Sequence, residues 1–375
     1  MIIRLLVALT ILALSGFPGA RADAAAKPSS GYKPTAGTLV NDREIKIKSS
    51  REAVVKRAEL IRFIWGKAGF PAGKLPSAVK IDSVRPDNLK NLERVDTLYI
   101  SMDAGMKGMS HLFHPKKRKK NRLVILHLGH TDNCTFNDNV PGEPDIGMRR
   151  TINALLTEGI AVLGVYMPQI TPEDCRWQHD QIFTIRTSGS PMKFFLEPTL
   201  VSLNYLEKNF PRYRDFTMIG LSGGGWTTTV YAAIDPRIRT SIPVAGSLPL
   251  YLCYEGYGHD MEQRLDAFYK LAGYPDLYVL GAYGKGRKQI QILNRHDDCC
   301  FGEKQHNREL AGLPFEPAVR EYEARVAATL KMLGSGSFRL FIDEKATGHM
   351  ISDHAIRSII LPELKQAGAL SGERR

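Results

Sequence analysis

The 375-residue sequence predicts an α/β fold: a mostly parallel twisted sheet with an antiparallel N-terminal edge and helices on both faces. Two observations support this prediction. From about residue 123 onward, short apolar strands alternate with segments of helical periodicity, as in right-handed βαβ crossovers. Before that point, two predicted strands are joined by a Gly-containing turn instead of a helix, which favours antiparallel pairing.

The first 22 residues resemble a secretory signal peptide. Arg4 gives a positive n-region, Leu5–Leu14 is an apolar run, and Ala20-Arg21-Ala22 fits an A-x-A cleavage site. The run is short for a membrane span, and no later segment is long and apolar enough to cross a bilayer. We therefore expect cleavage after Ala22, a secreted or periplasmic protein, and no stable membrane insertion.

The mature chain is predicted to contain one domain. Residues 23–50, rich in Ala, Pro, Gly, Ser and Lys, predict a flexible lead-in. Residues 51–375 are long enough for a single α/β domain. This domain begins with an N-terminal helical extension, because apolar residues recur at helical spacing from Arg51 to Lys67.

The other elements follow from periodicity and turn residues. Strands are predicted at 95–102 and 110–114, as a hairpin, and at 123–128, 160–166, 216–219, 240–245, 289–294 and 338–343. Helices are predicted at 145–158, 193–210, 226–234, 260–271, 317–333 and 354–366.

The formal net charge is +12, which is compatible with acidic polymers or with simple solubility. The basic run 115–122 lies between two predicted strands, so a solvated hairpin turn is expected there and no nucleic-acid partner.

Five cysteines are present: Cys134, Cys175, Cys253, Cys299 and Cys300. Export would permit disulfides, with one thiol left over. Cys134 with Cys175, and Cys253 with Cys299 or Cys300, are plausible pairs because all five follow predicted strands. No His/Cys spacing fits a zinc pattern, so no metal is expected.

The strongest chemical signal is the segment Asp215–Trp226. A buried strand at Phe216–Ile219 leads into Gly220-Leu-Ser222-Gly-Gly224, and a helical pattern follows. A G-x-S-x-G motif also occurs by chance, but in a strand–turn–helix context it predicts a nucleophile elbow. Ser222 is therefore the predicted nucleophile, beside the positive end of a helix dipole.

A serine nucleophile needs a base, and the base needs an orienting acid. Asp297 follows a predicted strand by three residues and is the predicted acid, with Asp298 as the fallback; either could instead cap a turn. His349 lies between the last strand and the last helix and is the predicted base, with His354 as the fallback.

An oxyanion hole is the third requirement. The predicted backbone donors are Gly223, directly after the nucleophile, and His130, in the loop after strand 123–128. The loops 168–183 and 248–260 are expected to shape the substrate pocket. Its other predicted residues are Gly129, Trp177 and Trp226.

With Ser222, Asp297 and His349 in this order, each after a strand, the sequence resembles the α/β-hydrolase superfamily over roughly Val95 to Gln366. It looks nearest to exported esterases of the acetyl-xylan-esterase and polyester-depolymerase kind. The resemblance implies a Ser-Asp-His triad, an acyl-enzyme and no cofactor. Two departures are His127-Leu-Gly129 in place of a His-Gly pair, and Asn294 where many members have Gly.

The expected function is therefore an exported serine hydrolase acting on small-molecule or polymer esters. A peptidase or an acyltransferase would use the same triad. A hydrolase fold retained as a non-catalytic protein that binds envelope polymers is the third alternative. Substrate identity and oligomeric state stay open.

Overall fold

A computed structural model describes residues 40–84, 86, 88–118, 122–129, 145–168, 179–213, 215–253, 260–304, 306 and 314–372. In these residues nine strands form one sheet. They are β1 Ala78–Lys80, β2 Leu92–Ser101, β3 Lys107–Pro115, β4 Arg122–His127, β5 Ala161–Val165, β6 Asp215–Leu221, β7 Ile238–Val244, β8 Lys288–Asn294 and β9 Ser337–Asp343. The strand order is β1-β2-β3-β5-β4-β6-β7-β8-β9.

The sheet has the predicted mixed character. β1, β2, β3 and β5 pair successively as antiparallel neighbours. From β5 through β4 to β9, every neighbouring pair is parallel. The carboxyl ends of these parallel strands therefore meet at one edge, where loops carry side chains from distant parts of the chain.

Helices cover both faces of the sheet, as predicted. They are α1 Ser50–Trp65, α2 Met148–Thr157, α3 His179–Ile182, α4 Lys193–Asn209, α5 Gly223–Ile234, α6 Met261–Arg264, α7 Asp266–Leu271, α8 Tyr274–Ala282, α9 Phe315–Met332, α10 Asp353–Ala355 and α11 Leu361–Gly372, with a π-helical turn at Ile356–Ile360. Short 3₁₀ turns lie at Gly66–Ala68, Asp103–Gly105 and Leu250–Leu252. None of the helices described is long and apolar enough to cross a membrane.

Two hydrophobic cores hold these layers together. The larger core packs α1, α4, α5, α8 and α9 against one face of the sheet. The smaller core packs α2 and the C-terminal helical segment against the other face. Because α5 is buried along its whole length, the helix that follows Ser222 is fixed firmly beneath the carboxyl edge.

The predicted lead-in extends too far, because the chain is packed before residue 50. Ile45 and Ile47 are buried, and the backbone N–H groups of Lys46 and Ile47 donate to Asp276 Oδ1 at 2.8 and 3.3 Å. Contacts group the chain from Thr38 onward as one compact unit. Average composition over 23–50 concealed the two isoleucines that anchor this stretch.

The connection after β3 also differs from the prediction. β2 and β3 form the predicted hairpin, but β3 pairs with β5 and not with β4. The basic run therefore joins two strands that are separated by a third, so it is not a hairpin turn.

Candidate active site

Ser222 is the single residue between β6 and α5. Its φ and ψ angles are 58° and −128°, a conformation that L-residues other than glycine rarely adopt. Its backbone N–H donates to the Val244 carbonyl at 3.0 Å, and its carbonyl accepts from Trp226 N–H at 3.0 Å. These bonds fix the strained backbone, and the side chain is partly exposed at the carboxyl edge.

Two glycines allow the elbow to pack against the end of β4. A Cβ atom on Gly224 would lie 2.3 Å from the His127 carbonyl oxygen, and one on Gly129 would lie 2.4 Å from the Leu221 oxygen. Gly129 also has a φ of +67°. No larger residue fits at either position without moving backbone, so the chain at Gly129, directly after β4, lies against the elbow. Gly129, which the sequence predicts as a pocket residue, lies at this contact.

Asp297 and His349 form a hydrogen-bonded pair. His349 Nδ1 donates to Asp297 Oδ2 at 2.7 Å. The Asp297 side chain is fully buried, whereas that of His349 is 18% exposed. With the Nδ1 proton used in this way, a neutral imidazole has its lone pair on Nε2, as a general base requires.

The second oxygen of Asp297 is held by its own loop. Oδ1 accepts the backbone N–H groups of Cys299 and Cys300, each at 2.9 Å. These two bonds fix the direction in which Oδ2 points. Asp298, the fallback acid, is exposed and His349 pairs with Asp297 in its place.

Asn294 is a site residue whose role the sequence did not predict. It ends β8 and is buried, and its Nδ2 donates to the carbonyls of Gly348 and Met350 at 3.0 and 2.8 Å. These two carbonyls flank His349. Asn294 thus joins the strand before the acid to the loop of the base. The departure from glycine at this position was the only signal in the sequence.

His349 Nε2 is buried and makes no hydrogen bond within the described part of the chain. The Ser222 hydroxyl therefore does not bond to it in this conformation. Catalytic hydrogen bonds are often long or poorly aligned without substrate and tighten in the reacting complex. Asp297 therefore holds the ring through Nδ1, and Nε2 is left as an unused acceptor.

Several other predicted residues lie elsewhere. His354, the fallback base, begins the C-terminal helical segment, and its Nδ1 contacts Ser358 Oγ at 3.2 Å. Trp226 was expected to line the pocket, but its ring is completely buried. Its Nε1 donates to the Tyr269 hydroxyl at 2.7 Å, so it is a core residue. His130 and Trp177 lie outside the described residues.

His127 has a structural role. Complete burial lowers the pKa of His127 to about 3, so the ring is neutral. Its Nδ1 accepts the Gly129 N–H at 3.3 Å, which stabilises the turn after β4. The ring therefore shapes the loop in which the second oxyanion donor was predicted.

The cysteine pairing differs from the sequence-based expectation. The Cys299 and Cys300 side chains lie next to each other, and Cys253 is free. The predicted pairing of Cys253 with either of them is therefore not present in the structure. The pair of Cys134 and Cys175 lies outside the described residues.

The fold and the order of these residues define an α/β-hydrolase fold, and comparison with solved structures agrees. Acetyl xylan esterase 1 from Thermoanaerobacterium sp. JW/SL YS485 is 13% identical, with a TM-score of 0.50 over 88% of this chain and 95% of that chain. The methylesterase BT1017 is 12% identical, with a TM-score of 0.54 over 82% of this chain and 62% of that one.

A candidate acetyl xylan esterase from Bacteroides fragilis NCTC 9343 gives a TM-score of 0.53 at 12% identity, over 79% of this chain and 76% of that one. Neither a family model nor a curated protein matches the sequence. At these identities the likeness establishes the fold, and the chemistry must be argued from the site.

Proposed function

We propose that this protein is an exported serine hydrolase that cleaves carboxylic esters through an acyl-enzyme. The observation that carries the proposal is the 2.7 Å hydrogen bond from His349 Nδ1 to Asp297 Oδ2. The two residues follow β9 and β8, and Ser222 follows β6 at the same edge of the sheet. The fold shared with esterases supports the reaction class.

In the proposed reaction, Ser222 Oγ attacks the ester carbonyl while His349 Nε2 accepts its proton. Asp297 stabilises the imidazolium, and its two backbone donors hold the carboxylate in place. Nε2 then returns the proton to the departing alkoxide, which leaves as an alcohol. The same Nε2 then takes a proton from the water that attacks the acyl-enzyme, and gives it to Ser222 Oγ as the carboxylic acid departs.

The negative oxygen of each tetrahedral intermediate needs backbone donors. We assign the Gly223 N–H, at the start of α5, as one of them, because the first N–H groups of a helix have no intrahelical partner. The loop after β4 is proposed to supply the second from His130 N–H, since Gly129 brings that loop against the elbow. Loss of one such donor costs about 3 kcal/mol of transition-state stabilisation.

The proposal also includes the location of the protein and the class of its substrate. The leader at 1–22 supports cleavage after Ala22 and a secreted or periplasmic location. The compared structures are named for acetyl xylan and methyl esters. We therefore propose a small-molecule or polymer carboxylic ester as the substrate, and no cofactor is required by this mechanism.

A fluorophosphonate probe tests the nucleophile. Wild type should be labelled and Ser222→Ala should not. Ser358→Ala is the matched control, because it removes a hydroxyl that contacts the fallback histidine, and it should be labelled normally. Equal labelling of Ser222→Ala would refute the assignment, and a wild type without labelling would favour a non-catalytic binding protein.

A substrate panel tests the reaction. p-Nitrophenyl esters of graded acyl length should be hydrolysed faster than aminoacyl p-nitroanilides. Preferential cleavage of the anilides would indicate a peptidase. Acyl transfer to an added alcohol in preference to water would indicate an acyltransferase.

A further inference from the structure

A second histidine–carboxylate cluster lies outside the candidate triad. His179, Asp260 and Glu262, called the His179 cluster below, each offer a ligand atom within 4.8 Å of the other two. The His179 and Glu262 side chains are 5% and 0% exposed, and Nδ1 and Oε1 are 2.8 Å apart. Three groups able to bind a cation therefore converge in a mostly buried place.

Glu262 has a carboxylate oxygen whose bonding is incomplete. Its Oε2 atom is buried and has no hydrogen-bond partner in the residues described. A carboxylate oxygen removed from water is stabilised only if a donor or a cation replaces that water. Because Oε1 of the same group contacts His179, the unpartnered oxygen belongs to the cluster.

The composition of the cluster suits a cation. It contains two carboxylates, those of Asp260 and Glu262, and one imidazole, that of His179. Acidic side chains therefore outnumber basic ones where the three ligand atoms meet.

The position of the cluster in the fold suggests what an ion would do. His179 begins α3, after the loop that follows β5, and Glu262 lies in α6, after the loop that follows β7. The His179 ring packs edge-on against Phe195, which packs against Trp226 of α5. The Tyr269 hydroxyl contacts both Trp226 Nε1 and the Glu262 carbonyl. The cluster is therefore tied to the helix that follows Ser222.

We propose that the His179 cluster binds a divalent transition-metal cation, best matched by Zn²⁺, which ties the loop after β5 to the loop after β7. One imidazole and two carboxylates suit Zn²⁺, whereas Ca²⁺ and Mg²⁺ prefer oxygen ligands alone. Two ligands of a tetrahedral ion with bonds of about 2.1 Å lie about 3.4 Å apart, so ligand atoms that are now up to 4.8 Å apart complete the site by shifts of about 1–1.5 Å. The proposal does not depend on the Ser222 chemistry.

Sequence spacing could not indicate this site, because 83 residues separate His179 from Glu262. Only the folded chain brings the loop after β5 and the loop after β7 together. The earlier expectation of no metal rested on local spacing alone, so it does not bear on ligands contributed by two distant loops.

Thermal unfolding of the full-length, untagged protein tests the proposal. After removal of metal with EDTA and desalting, ZnCl₂ at 100 times its Kd should raise the Tm by about 4 °C, and calorimetric titration should give one site. MnCl₂ should act more weakly, and CaCl₂ and MgCl₂ should have little effect. An absent Zn²⁺ response, or a larger response to Ca²⁺, would overturn the proposal.

Two variants test whether the ion binds at the His179 cluster. Glu262→Gln and Asp260→Asn should each weaken Zn²⁺ binding at least tenfold. Because Asp260 is partly exposed, Asp260→Asn should fold even if Glu262→Gln does not. Asp96→Asn is the matched control, because Asp96 pairs with buried His114 at 2.7 Å. It should keep the full Zn²⁺ response. Equal Zn²⁺ affinity in all three variants and wild type would mean that the ion binds elsewhere.

Discussion

Replacing Asn294 with alanine removes both hydrogen bonds that hold the backbone on either side of His349. The side-chain amide lies between the Gly348 and Met350 carbonyls, at 3.0 and 2.8 Å. His349 itself keeps its bond to Asp297, so the change acts on the position of the base and not on its chemistry. The variant therefore asks how much of the proposed activity depends on a fixed loop.

The structure sets the size of the expected effects. Each hydrogen bond contributes about 0.5–1.5 kcal/mol, so the loss of both should lower the unfolding free energy by about 1–3 kcal/mol. Both carbonyls belong to partly exposed residues, so water compensates in part and the lower half of that range is expected. A misplacement of about 1 Å at a reacting group costs on the order of 100-fold in rate. We expect kcat to fall about 10- to 100-fold, with KM changed less than about threefold.

Steady-state hydrolysis of p-nitrophenyl acetate gives kcat and KM, and urea unfolding gives the stability. Asn204→Ala is the matched control. The Asn204 amide also donates to two carbonyls, those of Pro71 and Lys74 at 3.1 and 2.9 Å. It lies on α4, away from the triad. Asn204 Oδ1 also accepts from Arg237 Nη1 at 2.9 Å, so the control should lose at least as much stability as Asn294→Ala while keeping wild-type kcat.

The reasoning fails if Asn294→Ala keeps kcat within twofold while its stability falls as in the control. That result would mean that the Asp297 bond alone positions His349. Equal losses of kcat in both variants would indicate a general effect of lower stability, and would also count against a positioning role for Asn294.

Three further predictions concern the acid, the elbow and the second cluster. Asp297→Asn should lower kcat by about 10³- to 10⁴-fold, whereas Asp298→Asn should change it less than threefold, measured with the same ester; the reverse order would reassign the acid. Gly129→Ala should destabilise the protein more than Gly69→Ala and abolish activity, because both glycines have a φ of +67° but only a Cβ at 129 meets backbone; equal urea midpoints would contradict this. The folded-state pKa of Asp260, about 6, exceeds the ordinary value of 3.8, so the folded protein binds more protons between these pH values and loses stability as pH rises through about 4–6. In EDTA, Asp260→Asn should therefore be about 3 kcal/mol more stable than wild type at pH 7.5 and little different at pH 4; an equal gain at both pH values would exclude titration as the cause.

The sequence was sufficient for eight of the nine described strands, but β1 was not predicted and the hairpin turn at 115–122 was wrong. Strand and helix patterns differ in period, and Gly220-x-Ser222-x-Gly224 marks the point where one changes to the other. The preference for Asp297 over Asp298 was also stated from the sequence. What the structure adds is the reason: only Asp297 is buried and accepts two backbone N–H groups.

Other features could not be predicted because they depend on contacts between distant segments. α8 was missed because Tyr274–Ala282 is apolar all round and buried on every side, which removes the amphipathic period. The role of Asn294 depends on carbonyls 54 and 56 residues away. Trp226 is predicted to line the pocket, but it lies on α5, whose whole length is buried by packing against other elements.

A hydrogen bond between histidine and a carboxylate is not enough to identify a catalytic base. Within the described residues, His114 with Asp96 and His179 with Glu262 have bonds as short as that of His349 with Asp297. A base must reach the substrate, yet the His114 and His179 side chains are 0% and 5% exposed, against 18% for His349. His114 also lies on β3, in the antiparallel part of the sheet, away from the strand ends that carry Ser222. The partly exposed ring and its position at the carboxyl edge therefore favour His349 as the base.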